Sequence, residues 1–196
     1  MNKVNPSDLL ILEGRCQNQC DHVVYSWSVV NTTINWNTSS STGNNKDYIT
    51  FLPDTFTNKT HYIIQLSVTS LSGLISLSYY NISINSPPTP GDCTVRPTEG
   101  VTLMTLYTIQ CHGFKDEDKH LTYQFRIVNN EKGKDQIIEA YFSSISKVSL
   151  ILPAGQESNG YKLPMEVIAT DTFGASVTVP LTITVKRLTS LNIFIG

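Results

Sequence analysis

An all-β fold of two tandem β-sandwich domains is what this sequence predicts, on three observations. The first is alternation: Val177, Val179, Leu181, Ile183 and Val185 are all aliphatic, while the residues between them are Thr and Pro. Successive side chains of a strand point to opposite faces, so this pattern buries one face of a sheet and wets the other. The second is that apolar residues nowhere keep up an i, i+3, i+4, i+7 spacing, so no helix of three turns is expected. The third is punctuation. The segment SPPTPGD, residues 86–92, interrupts the periodicity near the middle of the chain, and Pro and Gly clusters of this kind separate folding units.

These boundaries give a first domain over 1–85, a second over 86–187 and a tail over 188–196. A chain of 196 residues that is 40% hydrophobic can bury two cores. In the first domain Tyr25 and Trp27 mark one strand, and Tyr62, Ile64, Leu66 and Val68 alternate along another. In the second, Cys93 sits where the first strand should begin, Cys111 closes the run LYTIQC, and Tyr123, Phe125 and Ile127 share one face of the next strand. The last strand, 176–185, carries Pro180, which has no N–H to give to a ladder, so this position belongs at a sheet edge or a bulge. Turns are expected at Thr98-Glu99-Gly100 and at Asp171–Gly174. Short strands about ten residues apart with such turns suit a sandwich of immunoglobulin-like or fibronectin type III form, with a closed barrel as the alternative. The halves repeat: Tyr25 and Trp27 match Tyr123 and Phe125, while Tyr62 and Gly73 match Tyr161 and Gly174. Residues 61–70 hold no Cys to pair with Cys20, so the inter-sheet bridge of antibody domains is not expected.

Charged residues are only 15% of the chain, with a net charge of -2. Nucleic acid is excluded as a partner, because phosphate neutralisation needs clustered Lys and Arg. No run of about 20 apolar residues is present to span a membrane. The start, MNKVNPSDLLILEG, lacks a signal-peptide pattern, and the tail LTSLNIFIG ends abruptly in apolar residues. Both fit a fragment of something longer.

Four cysteines, at 16, 20, 93 and 111, and four sequons, at Asn31, Asn37, Asn58 and Asn81, point to an oxidising, glycosylating compartment. Four cysteines allow three connectivities, and the pairing read here is Cys16 with Cys20 and Cys93 with Cys111. The second bridge closes a loop for which chain-entropy models give about 3 kcal/mol; buried free thiols are the alternative. Four residues of extended chain span about 13 Å, beyond the limit of about 7 Å between bridged Cα atoms. Cys16 and Cys20 therefore need a turn through Gln17, Asn18 and Gln19, which Asn18 suits. Zinc is not expected, since these spacings give no four converging ligands.

Asp116 and Asp118, with Asp171 from a later loop, offer hard oxygen ligands suited to Ca²⁺. The flanking Lys115 and Lys119 oppose a cation, and the same residues suit a solvated turn. No other cofactor is expected. The histidines at 22, 61, 112 and 120 form no metal pair, and no nucleophile elbow, zincin motif or phosphate loop is present, so no enzyme is predicted. Trp36, Tyr79 and Tyr80 could make a sugar platform, but aromatics near strand ends usually complete a core.

Residues 91–125 carry a Gly-x-Cys, a Pro-x-x-Gly, a second Cys and an Asp-x-Asp turn before Leu-x-Tyr-x-Phe. In this order they resemble the REJ (receptor for egg jelly) region of the polycystin family, and a Cys-x-x-x-Cys ahead of Tyr-x-Trp also looks like REJ and PKD-type modules. The first domain departs from the pattern, having no equivalent Gly-x-Cys. The resemblance implies an extracellular segment of a membrane protein, in the plasma or ciliary membrane. By that resemblance the parent carries a GPS autoproteolysis site, membrane helices and a link to cation-channel activity. This fragment would serve adhesion, ligand sensing or spacing, with neighbouring ectodomain modules and an extracellular protein or glycan as partners. The alternative function is a carbohydrate- or calcium-binding accessory module of a secreted enzyme.

Overall fold

The computed structural model describes residues 2–16, 22–30, 32–57, 60–131 and 134–189. The chain divides into two compact units, Met1–Ser86 and Pro87–Gly196.

Unit 1 contains β1 (Asn2–Val4), β2 (Leu10–Glu13), β3 (Val24–Val29), the single-turn α1 (Trp36–Ser39), β4 (Tyr48–Phe51), β5 (His61–Thr69) and β6 (Ile75–Ile84). One sheet runs β1-β6-β5-β3, and β2 pairs with β4 in the other. Tyr62, Ile64 and Leu66 are buried on one face of β5, as their alternation requires. They pack with Trp27, Ile49, Phe51 and Ile82. The Trp27 indole N–H donates to the Lys46 carbonyl at 2.8 Å, so this large side chain enters the core with its polar atom satisfied. Asn35 caps α1, its side chain accepting from the Asn37 N–H.

Unit 2 contains β7 (Asp92–Arg96), β8 (Glu99–Val101), β9 (Leu106–His112), β10 (Thr122–Glu131), β11 (Lys134–Ser143), β12 (Lys147–Ile151), β13 (Lys162–Thr170) and β14 (Ser176–Lys186). Its sheets run β11-β10-β13-β14-β8 and β12-β9-β7. Tyr107, Ile109, Phe125, Ile127, Met165 and Val167 fill the space between them. The aliphatic face of β14 points inward, with Ile183 and Val185 fully buried. Pro180 faces outward opposite Glu166. Since β8 pairs with β14 only at 184–186, the other flank of β14 at Pro180 is a sheet edge.

The units repeat one plan. β1 runs parallel to β6 as β8 does to β14. β2 pairs with β4 as β9 does with β12, and β3, β5 and β6 neighbour each other as β10, β13 and β14 do. Gly73 and Gly174 hold the same place in the hairpin after β5 or β13, with φ of 80° and 90°, where a side chain would be strained. Tyr62 does not correspond to Tyr161. It faces Ile82, as Leu163 faces Ile183, and Tyr161 precedes its strand. The expected turn at Thr98-Glu99-Gly100 is also displaced. Glu99–Val101 forms β8, and the chain reverses afterwards, with the Met104 and Thr105 N–H groups donating to the Val101 carbonyl. A Cβ on Gly100 would come within 2.6 Å of the Tyr107 hydroxyl, so glycine here serves close packing of a strand.

Candidate functional site

Cys93 of β7 lies directly opposite Cys111 of β9, and the two are joined by a disulfide with Cα atoms 4.0 Å apart. The bridge is a staple within one sheet, unlike the antibody type. The glycine of Gly-x-Cys has a steric reason: a Cβ on Gly91 would stand 2.2 Å from the His112 carbonyl oxygen and 2.6 Å from the Phe114 nitrogen. With glycine there, the chain entering β7 passes flush against the end of β9, and Phe114 meets Tyr123 edge-on at 5.8 Å. Cys16 is disulfide-bonded; its expected partner Cys20 lies outside the described residues.

Asp116 and Asp118 follow β9, and Asp171 directly follows β13. The fold brings one carboxylate oxygen of each within 4.8 Å of the others, with Asp171 buried. Among the described residues this is the one such convergence of His, Cys, Asp or Glu side chains. Much of the group's hydrogen bonding is local. Asp116 Oδ1 accepts from the Asp118 N–H at 2.8 Å, and Asp171 Oδ1 accepts from the Phe173 and Ala175 N–H groups at 2.8 and 3.0 Å. Unit 1 closes its equivalent hairpin with a hydroxyl, Ser70 Oγ accepting from the Leu74 N–H at 3.2 Å. Asp171→Ala is therefore expected to cost unit 2 about 1–3 kcal/mol by stranding two backbone donors. Asp171→Ser should recover part of that, as read from urea denaturation together with amide exchange in the hairpin.

Of the sequon asparagines, Asn37 is exposed on α1 and Asn81 is exposed on β6; Asn31 and Asn58 lie outside the described residues. Trp36 packs at 6.2 Å from Phe51 and Tyr80 against the same core, whereas Tyr79 is 54% exposed. These aromatics do not share a platform. All four histidines are exposed. Burial raises the pKa of the Tyr107 and Tyr123 hydroxyls above the usual tyrosine value, so both stay protonated near neutral pH.

One feature escaped the reading of the sequence. A cleft of about 580 Å³ opens in unit 1 between the end of β2 and the first half of β6. Leu66 and Val68 form its floor, with Gly14 and Arg15 on one side and Ser76 and Ser78 on the other. Along β6 the pairing with β5 is unbroken. Ser76 and Ser78 therefore share the inward parity of buried Ile82, and Ile75, Leu77 and Tyr79 face solvent. The signal was a phase change: apolar residues fall on odd positions up to Tyr79 and on even ones from Tyr80.

Three comparisons bear on this architecture. The chain is 25% identical over 203 residues to the human Polycystin family receptor for egg jelly, a match covering 95% of the chain and 9% of that protein. It is 28% identical over 149 residues to human Polycystin-1-like protein 1, covering 76% of the chain and 5% of that protein. The chain thus spans under a tenth of these relatives' lengths. A crystal structure of domains from titin superposes with a TM-score of 0.51 at 13% identity, covering 94% of this chain and 62% of that one, which shows a shared fold alone. The model of the REJ domain family matches residues 1–192, and so the chain, with its stapled second unit and its two-sandwich plan, belongs to the REJ domain family.

Proposed function

We propose that this chain is an extracellular segment of a polycystin-like membrane receptor and acts without catalysis, as an adhesion, ligand-sensing or spacer module coupled to cation-channel function. The observation that carries the reading is the REJ match over residues 1–192, and the names of the relatives, a polycystin family receptor for egg jelly and a polycystin-1-like protein, accord with it. Physical features agree. A disulfide joins neighbouring strands of unit 2, as suits an oxidising compartment. Asn37 and Asn81 are exposed where a glycan needs solvent, and broad strand faces suit protein or glycan partners better than turnover. The test replaces residues 2–189 in the full-length parent with an unrelated pair of sandwich domains of equal length. Surface delivery should persist, and the ligand-evoked cation current should fall. An unchanged current would leave the segment as a spacer, and a parent without membrane spans would end the reading.

The convergence of Asp116, Asp118 and Asp171 within 4.8 Å supports a second reading in which unit 2 binds Ca²⁺ through these oxygens. Millimolar Ca²⁺ should then raise the melting temperature of the chain and leave that of Asp118→Asn unmoved. Identical melting of the unsubstituted chain with and without Ca²⁺ would dispose of it.

A further inference from the structure

Among the described residues, unit 1 has the frame of unit 2 without counterparts of its first strand, β7, and of β11. In unit 2, β7 pairs antiparallel with β9, sends Val95 into the core and packs against β14. The ladders put Gly14 in the place of Cys111, and the same bond marks both. The Gly14 N–H donates to the Asp47 carbonyl at 2.6 Å and the Cys111 N–H to the Ser146 carbonyl at 2.8 Å. Unit 1 has no strand, among the described residues, on the flank of β2 away from β4. The cleft of about 580 Å³ opens beside that flank. A Cβ on Gly14 would meet Leu66 Cδ2 at 2.3 Å, so Leu66 reaches into space that the Cys111 side chain takes up in unit 2. Opposite, Ser76 and Ser78 face Val68 and Leu66 as Val177 and Val179 face Ala169 and Val167.

We propose that this cleft seats an extended strand that pairs antiparallel with β2 as β7 pairs with β9, and that its occupant is the stretch of the parent polypeptide immediately preceding Asn2. An unpaired strand edge presents a row of free N–H and C=O groups, which an added strand satisfies while its alternate side chains fill the groove. The covalent path argues for this source. In unit 2 only Pro97 and Thr98 separate β7 from β8. β1 holds the place of β8, with Lys3 opposite Ser83 as Glu99 is opposite Thr184. A strand leading into β1 by the same short link arrives on β2 without a long loop to close. Its inward side chains should be apolar or small, as Cys93 and Val95 are, with a small one nearest Gly14, where Leu66 already takes up the space.

This inference rests on the chain being one segment of a longer polypeptide, as proposed above, and the experiment separates the two. Amide exchange is compared between the 196-residue chain and the same chain extended by the residues encoded immediately upstream. The extension should slow exchange across Leu10–Glu13 by on the order of tenfold or more, and a proline placed within the added strand should abolish that gain. Equal exchange in both lengths, or protection indifferent to the proline, would overturn the inference and leave the receptor reading standing. So would protection of β2 that rises with protein concentration in both lengths, since a second copy would then be the occupant. An absence of upstream coding sequence would likewise overturn the inference and leave the receptor reading standing.

Discussion

Phe125→Ala should lower the stability of unit 2 by roughly 3–5 kcal/mol, the range for truncating a buried aromatic. Phe125 is fully buried in β10, directly opposite Val167 of β13, in a cluster with Tyr107, Ile109 and Leu163. Removing the ring takes away its transfer free energy and leaves a void that two hydrogen-bonded sheets cannot easily collapse to fill. Domains of this size are stable by about 5–15 kcal/mol, so the variant should be marginal. Both tryptophans, Trp27 and Trp36, lie in unit 1, and their emission therefore reports on the wrong half. Amide exchange along β10 and β13 across a urea series is the proper readout. A loss under 1 kcal/mol would show that Phe125 is not a keystone of this core.

Replacing Cys93 and Cys111 together by alanine should cost about 3 kcal/mol, the chain-entropy value for a loop of roughly this length. The sequence separation is 18, and Cys111 is 1% exposed, so some packing is lost as well. Replacing both avoids a lone buried thiol. The loss should be concentrated in β7, whose other bonds are the ladder to β9, and exchange there should rise before it rises in β13. Reduction of the unsubstituted protein should reproduce the same pattern. An effect below 1 kcal/mol would mean that the ladder holds β7 unaided.

Much of this fold was legible because strand periodicity is local. Val177 to Val185 announce β14 without reference to anything distant, and Pro180 announces its free flank, since a missing N–H is a property of the residue. The Cys93 and Cys111 pair was legible because each cysteine lies in its own strand pattern with a short stretch of chain between, although the chain passes through β8 in the other sheet before β9 returns to pair with β7. The close packing of Gly91 against β9 was not, because nothing in a glycine says which backbone will approach it. Nor was β8. Three residues after a proline look like a turn until β14, more than eighty positions later, offers them an edge.

By itself, then, the sequence determined the all-β class, the strand faces and the cysteines that staple unit 2, all properties of neighbouring residues in an extended chain. Only the tertiary structure decided the rest. It brought Asp171 to Asp116 and Asp118, set Ser76 and Ser78 opposite Val68 and Leu66 on the cleft side of β6, and, among the described residues, left the flank of β2 away from β4 without a partner strand. The physical reason is that register and pairing are chosen by the summed burial of whole sheets. A single continuous ladder, anchored by Tyr62, Ile64 and Ile82, can therefore place two serines on the core-facing parity of β6, where they stay exposed at the open cleft.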